Sequence, residues 1–138
     1  MKSAGYSGTP LLKKLGIKPG FKMMWVEAPG YYSKLLGKLP GDVQVLSRPQ
    51  APLDFIHLFT QDRKDYERRL PQLKKVLSPD GMIWVSWPKA ASKVPTDVTE
   101  KVVREYALRC GLVDIKVCAV DGTWSGLKMV IPVKDRKK

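Results

Sequence analysis

Any chemistry in this sequence has to come from side chains scattered at the ends of apolar runs. Glu27 closes the run FKMMWVE, and Tyr31 and Tyr32 follow it. Thr60 ends LDFIHLFT, and Ser86, Trp87 and Lys89 end MIWVSWPK. Asp121, Trp124 and Ser125 lie in the stretch DGTWSG. Carboxylates, aromatic faces and a lysine of this kind can hold a small anion or a planar ring. Lys89 would be the point charge and Trp87 or Trp124 the stacking face. These ten residues are the ligand-binding candidates, and none is assigned a catalytic role. His57 sits mid-run among apolar neighbours and reads as a packed histidine. No nucleophile stands beside an evident base, and neither GxSxG nor a P-loop occurs. Cys110 and Cys118 form no CxxC and no Cys/His cluster, so no metal is expected. Two packed, reduced thiols suit a cytoplasmic protein.

The candidates gain meaning only if the chain gathers them. Leu53 to Phe59 and Met82 to Trp87 are nearly all apolar, as strands buried on both faces should be. Pro79-Asp80-Gly81 reads as the tight turn before the second, with Gly81 able to take positive φ. Between them lies a helix capped by Asp62, with Asp65 in its first turn and Tyr66, Leu70, Leu73 and Leu77 on one face. Pro71 should kink or divide it near Leu70. Strand, helix and strand make a βαβ unit, hence an α/β fold with a mainly parallel sheet.

Upstream, Thr9 is expected to cap a short helix from Pro10 to Leu15, stopped by Gly16. Phe21 to Glu27 follows as a strand, Tyr31 to Leu36 as a helix ended by Gly37, and Val43 to Leu46 as a short strand. The connector Arg48 to Pro52 is a difficulty. Five residues span only about 17 Å, little for a return to the other end of the sheet. It works if the preceding strand is short or the connector runs extended beside the sheet. Downstream, Pro88 to Pro95 reads as a loop. Thr96 caps a helix whose stripe is Val98, Val102, Val103, Tyr106, Ala107 and Cys110, ended by Gly111. Val113 to Val120, a loop from Asp121 to Gly126, and Leu127 to Val133 then form an antiparallel hairpin at the sheet edge.

The length of 138 residues allows one domain with a real core. Residues 1–9 read as an arm, 10–133 as the domain and 134–138 as a basic, disordered tail. No apolar run approaches the ~20 residues of a membrane helix, and MKSAGYSGTPLL has no secretory signal pattern. The net charge of +12 invites a polyanionic partner such as nucleic acid.

The order of elements resembles a minimal class I methyltransferase with a piece missing. Leu73 to Val85 (LKKVLSPDGMIWV) resembles the helix, PxG turn and strand late in that fold, and Leu15 to Met24 (LGIKPGFKMM) resembles its lead-in to the first strand. The resemblance implies a Rossmann-like three-layer domain with about six strands in the order 2-1-3-4-6-5. The chain also resembles a small uncharacterised bacterial protein family carrying GYSGTPL, VSWPK and DxTWSGLK, here Gly5 to Leu11, Val85 to Lys89 and Asp121 to Lys128. For the methyltransferases, the resemblance implies an acid and then GxG after the first strand, where bare backbone meets S-adenosylmethionine. Glu27 takes the acid position, but Pro29 and Tyr31 stand where the glycines belong. The acid that would hold the ribose at the end of the second strand is replaced by Leu46-Ser47-Arg48. S-adenosylmethionine is therefore disfavoured and the cofactor is left unknown.

In open α/β sheets, ligands bind beyond the carboxyl ends of the strands, near the switch in strand order. The leading expectation is thus a non-catalytic methyltransferase-like domain binding a small ligand or a protein partner there. A second reading is a nucleic-acid-associated module using Arg63, Lys64, Arg68, Arg69, Lys74 and Lys75 on the central helix. A third is a divergent S-adenosylmethionine-dependent methyltransferase.

Overall fold

Parallel strands buried on both faces need helices above and below, and that is how the chain is arranged. The computed structural model describes residues 10–50 and 52–136. Thr9, residues 1–8, Ala51 and the final two lysines lie outside them, so the expected arm and the Thr9 cap do too. The elements are α1 (Leu11–Leu15), β1 (Lys22–Val26), α2 (Tyr32–Leu36), β2 (Gln44–Val45), β3 (Leu53–Phe59), α3 (Arg63–Lys75), β4 (Leu77–Pro88), α4 (Glu100–Arg109), β5 (Val113–Ala119) and β6 (Trp124–Val130). Short 3-10 turns occur at Ala90–Ser92 and Val133–Asp135. The six strands form one sheet in the order β2-β1-β3-β4-β6-β5. β1 to β4 run parallel, and the β5–β6 hairpin is antiparallel. This is the expected fold class.

Alternation along each strand divides the core into two layers. Met23, Phe55, Phe59, Met82, Trp84 and Trp124 face α1 and α2. Met24, Ile56, Leu58, Ile83, Val85 and Leu127 face α3 and α4. Trp84, fully buried, donates its indole N–H to the Leu15 carbonyl at 2.9 Å and pins α1 to the sheet.

The troublesome connector is resolved by the shortness of β2. Its two residues pair with Lys22 and Met23 at the amino end of β1. The chain leaves β2 close to the level at which β3 begins, so little backtracking is needed.

Several local expectations need correction. Pro71 lies inside α3 without dividing it. The proline ring leaves the Glu67 carbonyl without its usual i+4 amide, and the Tyr106 hydroxyl fills the place at 2.9 Å. β4 begins at Leu77 rather than Met82, because Ser78 to Gly81 bulge within the strand between the Leu53–Leu77 and Phe55–Met82 pairs. Gly81 does not use positive φ; a Cβ there would sit 2.8 Å from the Leu53 carbonyl oxygen and from Leu77 Cδ1. α4 starts at Glu100, capped by the Thr99 hydroxyl, which accepts from the Val102 N–H. Thr96 instead accepts from the Val98 N–H and donates to the Gln61 carbonyl. β6 starts at Trp124, so half of the expected loop is strand. Lys134 and Asp135, assigned to the tail, lie in the 3-10 turn, and Arg136 donates to the Ile131 carbonyl.

Candidate functional site

At the carboxyl end of β1 the backbone turns sharply. Glu27 adopts φ 56°, in the left-handed region that costs a residue with a Cβ about 1 kcal/mol or more. Its exposed carboxylate accepts from Arg69 Nη2 at 3.1 Å, and Arg69 Nε donates to Asp65 at 2.9 Å. Arg69 thus straps the end of β1 to α3. Both pairs keep some contact with solvent, the Glu27 side most, so they fix position more than they add stability.

Beyond Glu27, the Pro29 carbonyl accepts from the Tyr32 N–H and opens α2. Tyr31 then reaches across the strand ends and donates its hydroxyl to Asp121 Oδ2 at 2.7 Å. Asp121 Oδ1 accepts the N–H groups of Thr123 and Trp124, both at 2.8 Å. One carboxylate therefore shapes the β5–β6 turn and latches the loop after β1 to it. Partial burial, followed by the hydrogen bond and the charge of Asp121, pushes the Tyr31 phenol up to about 12.

Between the strap and the latch lies a cleft of about 330 Å³, lined by Glu27, Pro29, Phe59, Thr60, Gln61, Asp65 and Trp124. Phe59 and Trp124 meet edge to face at 5.1 Å in its wall. A second cavity of about 360 Å³ opens on the α3 side of β1, between Ser47 and Pro49 and the α3 residues Arg68, Arg69 and Gln72. A third, about 450 Å³, lies beyond β4, where Trp87 and Pro88 meet Lys93 to Glu100.

The ten candidate residues therefore do not form one site. Glu27, Thr60 and Trp124 share the first cleft, with Tyr31 and Asp121 latched beside it. Trp87 is buried in the α3–α4 layer and lines the third cavity. Lys89 lines none of these three cavities, and its backbone N–H donates to the Thr123 carbonyl. Ser125 stands opposite Trp87 in the β4–β6 ladder. Tyr32 and Ser86 do not open onto a cleft. Both are buried and flank His57: the Tyr32 hydroxyl lies 2.7 Å from Nδ1, and Ser86 Oγ lies 2.8 Å from Nε2. Burial holds the imidazole down to about 3, so it stays neutral, and burial raises the Tyr32 phenol. His57 also stacks on Phe59 at 4.2 Å, which agrees with the packed histidine read from the sequence. Phe59, Gln61 and Asp65 are site residues that the sequence reading does not name as such, and Arg69, expected as a phosphate contact, instead holds Glu27. The Asp65–Arg69 spacing of four signals a helical pair, but its reach to Glu27 depends on the tertiary fold.

Among the described residues, no group of three His, Cys, Asp or Glu is placed to hold a metal, and no helix is long and apolar enough to cross a membrane.

Six strands in the order 2-1-3-4-6-5, with a cleft at the carboxyl ends, can be matched against known structures. The chain is similar to a SAM-dependent methyltransferase from Aquifex aeolicus, with a TM-score of 0.60 at 20% identity over 88% of each chain. It is similar to a type 11 methyltransferase candidate from Sulfolobus solfataricus, with a TM-score of 0.66 at 16% identity over 93% of each. A ribosomal protein L11 methylase from Lactobacillus delbrueckii subsp. bulgaricus gives 0.58 at 14% identity, over 88% of this chain and 74% of that one. The fold is methyltransferase-like. At such identities the likeness is one of fold. No protein-family model matches the sequence, and no curated protein matches it.

The methyltransferase-like fold implies S-adenosylmethionine, and the residues after β1 can be tested for it. Pro29 supplies no N–H. Tyr31 fills a glycine position with a ring already latched to Asp121. At Gly30, a Cβ would meet nothing within 4 Å, so this glycine is not kept bare by close packing. Glu27 is engaged by Arg69, and β2 is followed by Leu46-Ser47-Arg48 with no carboxylate. These residues do not form the cofactor cradle that the resemblance to methyltransferases implies.

Proposed function

We propose that this chain is a methyltransferase-like domain that binds a small ligand at the carboxyl ends of β1 and β3, beside the amino end of β6, without performing conventional methyl transfer. The observation that carries the reading is the Tyr31–Asp121 hydrogen bond, which ties the loop after β1 to the β5–β6 turn with a ring where the resemblance implies a glycine. The cleft beside it suits a flat ring against Phe59 and Trp124, with donors or a positive charge toward Glu27 and Asp65. An anion held by Lys89 fits less well, because Lys89 does not line this cleft.

The experiment is calorimetric titration of the full chain with S-adenosylhomocysteine. No saturable heat is expected. Saturable one-to-one binding would overturn the reading and favour a divergent methyltransferase.

A further inference from the structure

Positive charge is shared unevenly between the two sides of the sheet, and on α3 its arginines are paired. Every ion pair among the described residues is made by an arginine. On α3, Arg63 pairs with Glu67, Arg68 with Asp65, and Arg69 with Asp65 and Glu27. Lys74 donates to the Cys110 carbonyl. Half of the cations expected to meet phosphates, the three arginines, are thus held by carboxylates.

The other side of the sheet differs. From Leu11 to Gly41 the chain carries Lys13, Lys14, Lys18, Lys34 and Lys38 outside β1, and its one carboxylate, Glu27, is taken by Arg69 of α3. The hairpin adds to this side. Lys128 shares a face of β6 with Trp124 and Val130, which pack toward α1 and α2, and Lys116 stands directly opposite it on β5. The Lys128 ammonium reaches Gly16, within 3.8 Å of where a Cβ on that glycine would lie. Lys14 Nζ donates to the Ala119 carbonyl at the end of β5, at 3.1 Å. Burial, then the proximity of Lys116 and Lys18, lowers the Lys128 ammonium from its ordinary value. Like charges directly opposed across a ladder destabilise it, so this arrangement costs the free protein stability.

We propose that Lys14, Lys18, Lys116 and Lys128 form a phosphate-binding surface for a nucleic-acid strand. The four are spread over a helix, the turn after it and two strands, which suits successive phosphates better than one enclosed ion. An acidic membrane fits less well, because interfacial binding is strengthened by apolar side chains on the same face as the basic ones. The exposed Ile115 and Val117 of β5 alternate with Lys116, and Val117 pairs with the inward-facing Leu127 of the α3–α4 layer.

The test is fluorescence anisotropy of a short labelled single-stranded RNA of mixed sequence, titrated with the full chain at several salt concentrations. Binding is expected to weaken with salt at a logarithmic slope of about −3, from about −0.7 for each of four phosphates. Lys18 and Lys116 are both exposed, so K18E/K116E should fold normally and lose about tenfold or more in affinity. K64E/K75E on α3 should stay within about twofold of the parent. The milder K18Q/K116Q should lie between parent and charge reversal. No RNA binding, a slope near zero, or equal losses in the two charge-reversal variants would overturn the proposal. So would binding to phosphatidylserine vesicles in place of RNA.

Discussion

Tyr32 and His57 share a 2.7 Å hydrogen bond in the core, where both side chains are buried and the imidazole is neutral. The folded imidazole titrates near 3, against about 6.5 in an unfolded chain. Between those values the unfolded state binds a proton that the folded state refuses. The stabilisation is complete above pH 6.5 and is lost as pH falls toward 3, by ~1.4 kcal/mol per pH unit from this residue. Urea midpoints of the wild type and H57Q between pH 5 and 6.5 should diverge, with the steeper slope in the wild type. Parallel profiles would refute it.

The Tyr31–Asp121 latch predicts a local effect. Y31F should cost about 1.5–3 kcal/mol in urea denaturation, the range for a hydrogen bond to a charged group. Amide exchange should speed up at Ala28, Gly30 and Tyr31 and at Thr123 and Trp124, with α4 unaffected. A global change in protection would argue against a latch.

Pro71 and Tyr106 should be coupled. Y106F leaves the Glu67 carbonyl without a partner and should cost about 1–2 kcal/mol. In a P71A background the restored amide serves that carbonyl, so Y106F should cost about 1 kcal/mol less. A double-mutant cycle showing simple additivity would mean that Tyr106 acts through packing alone.

Gly81→Ala tests the bulge in β4. Its Cβ would press on the Leu53 carbonyl and Leu77, and the chain cannot move one without disturbing the β3–β4 pairing. A loss of more than about 2 kcal/mol is expected by urea denaturation. Gly30→Ala, at a site with open space, should stay within about 0.5 kcal/mol.

The sheet was legible because buried parallel strands are written as continuous apolar runs, and Leu53 to Phe59 and Met82 to Trp87 are such runs. Helix ends were less so. Thr96 and Thr99 are equally good caps on paper, and the hydrogen bond from Thr96 to Gln61, 35 residues away, decides between them. Pro71 misled for the same reason, since Tyr106 lies on another helix. The site was legible only as a region. Strand ends locate Glu27, Thr60 and Trp124, but alternation alone places Ser86 beneath the surface against His57 and turns Trp87 toward the other layer. The lysine face escaped notice because its members are separated by about a hundred residues, and only the topology joins them.

Lys116 has one more consequence. β5 is the outer strand of the sheet and runs from Val113 to Ala119, with Lys116 at its midpoint. If two copies aligned these strands antiparallel about a two-fold axis in full overlap, each Lys116 would face its counterpart. The ladder irregularity between Asp114 and Lys116 further spoils the template. The same ammonium that faces outward for a polyanion thus also guards the open edge against self-addition into fibrils. An apolar replacement there would remove that guard, whereas charge reversal would keep it.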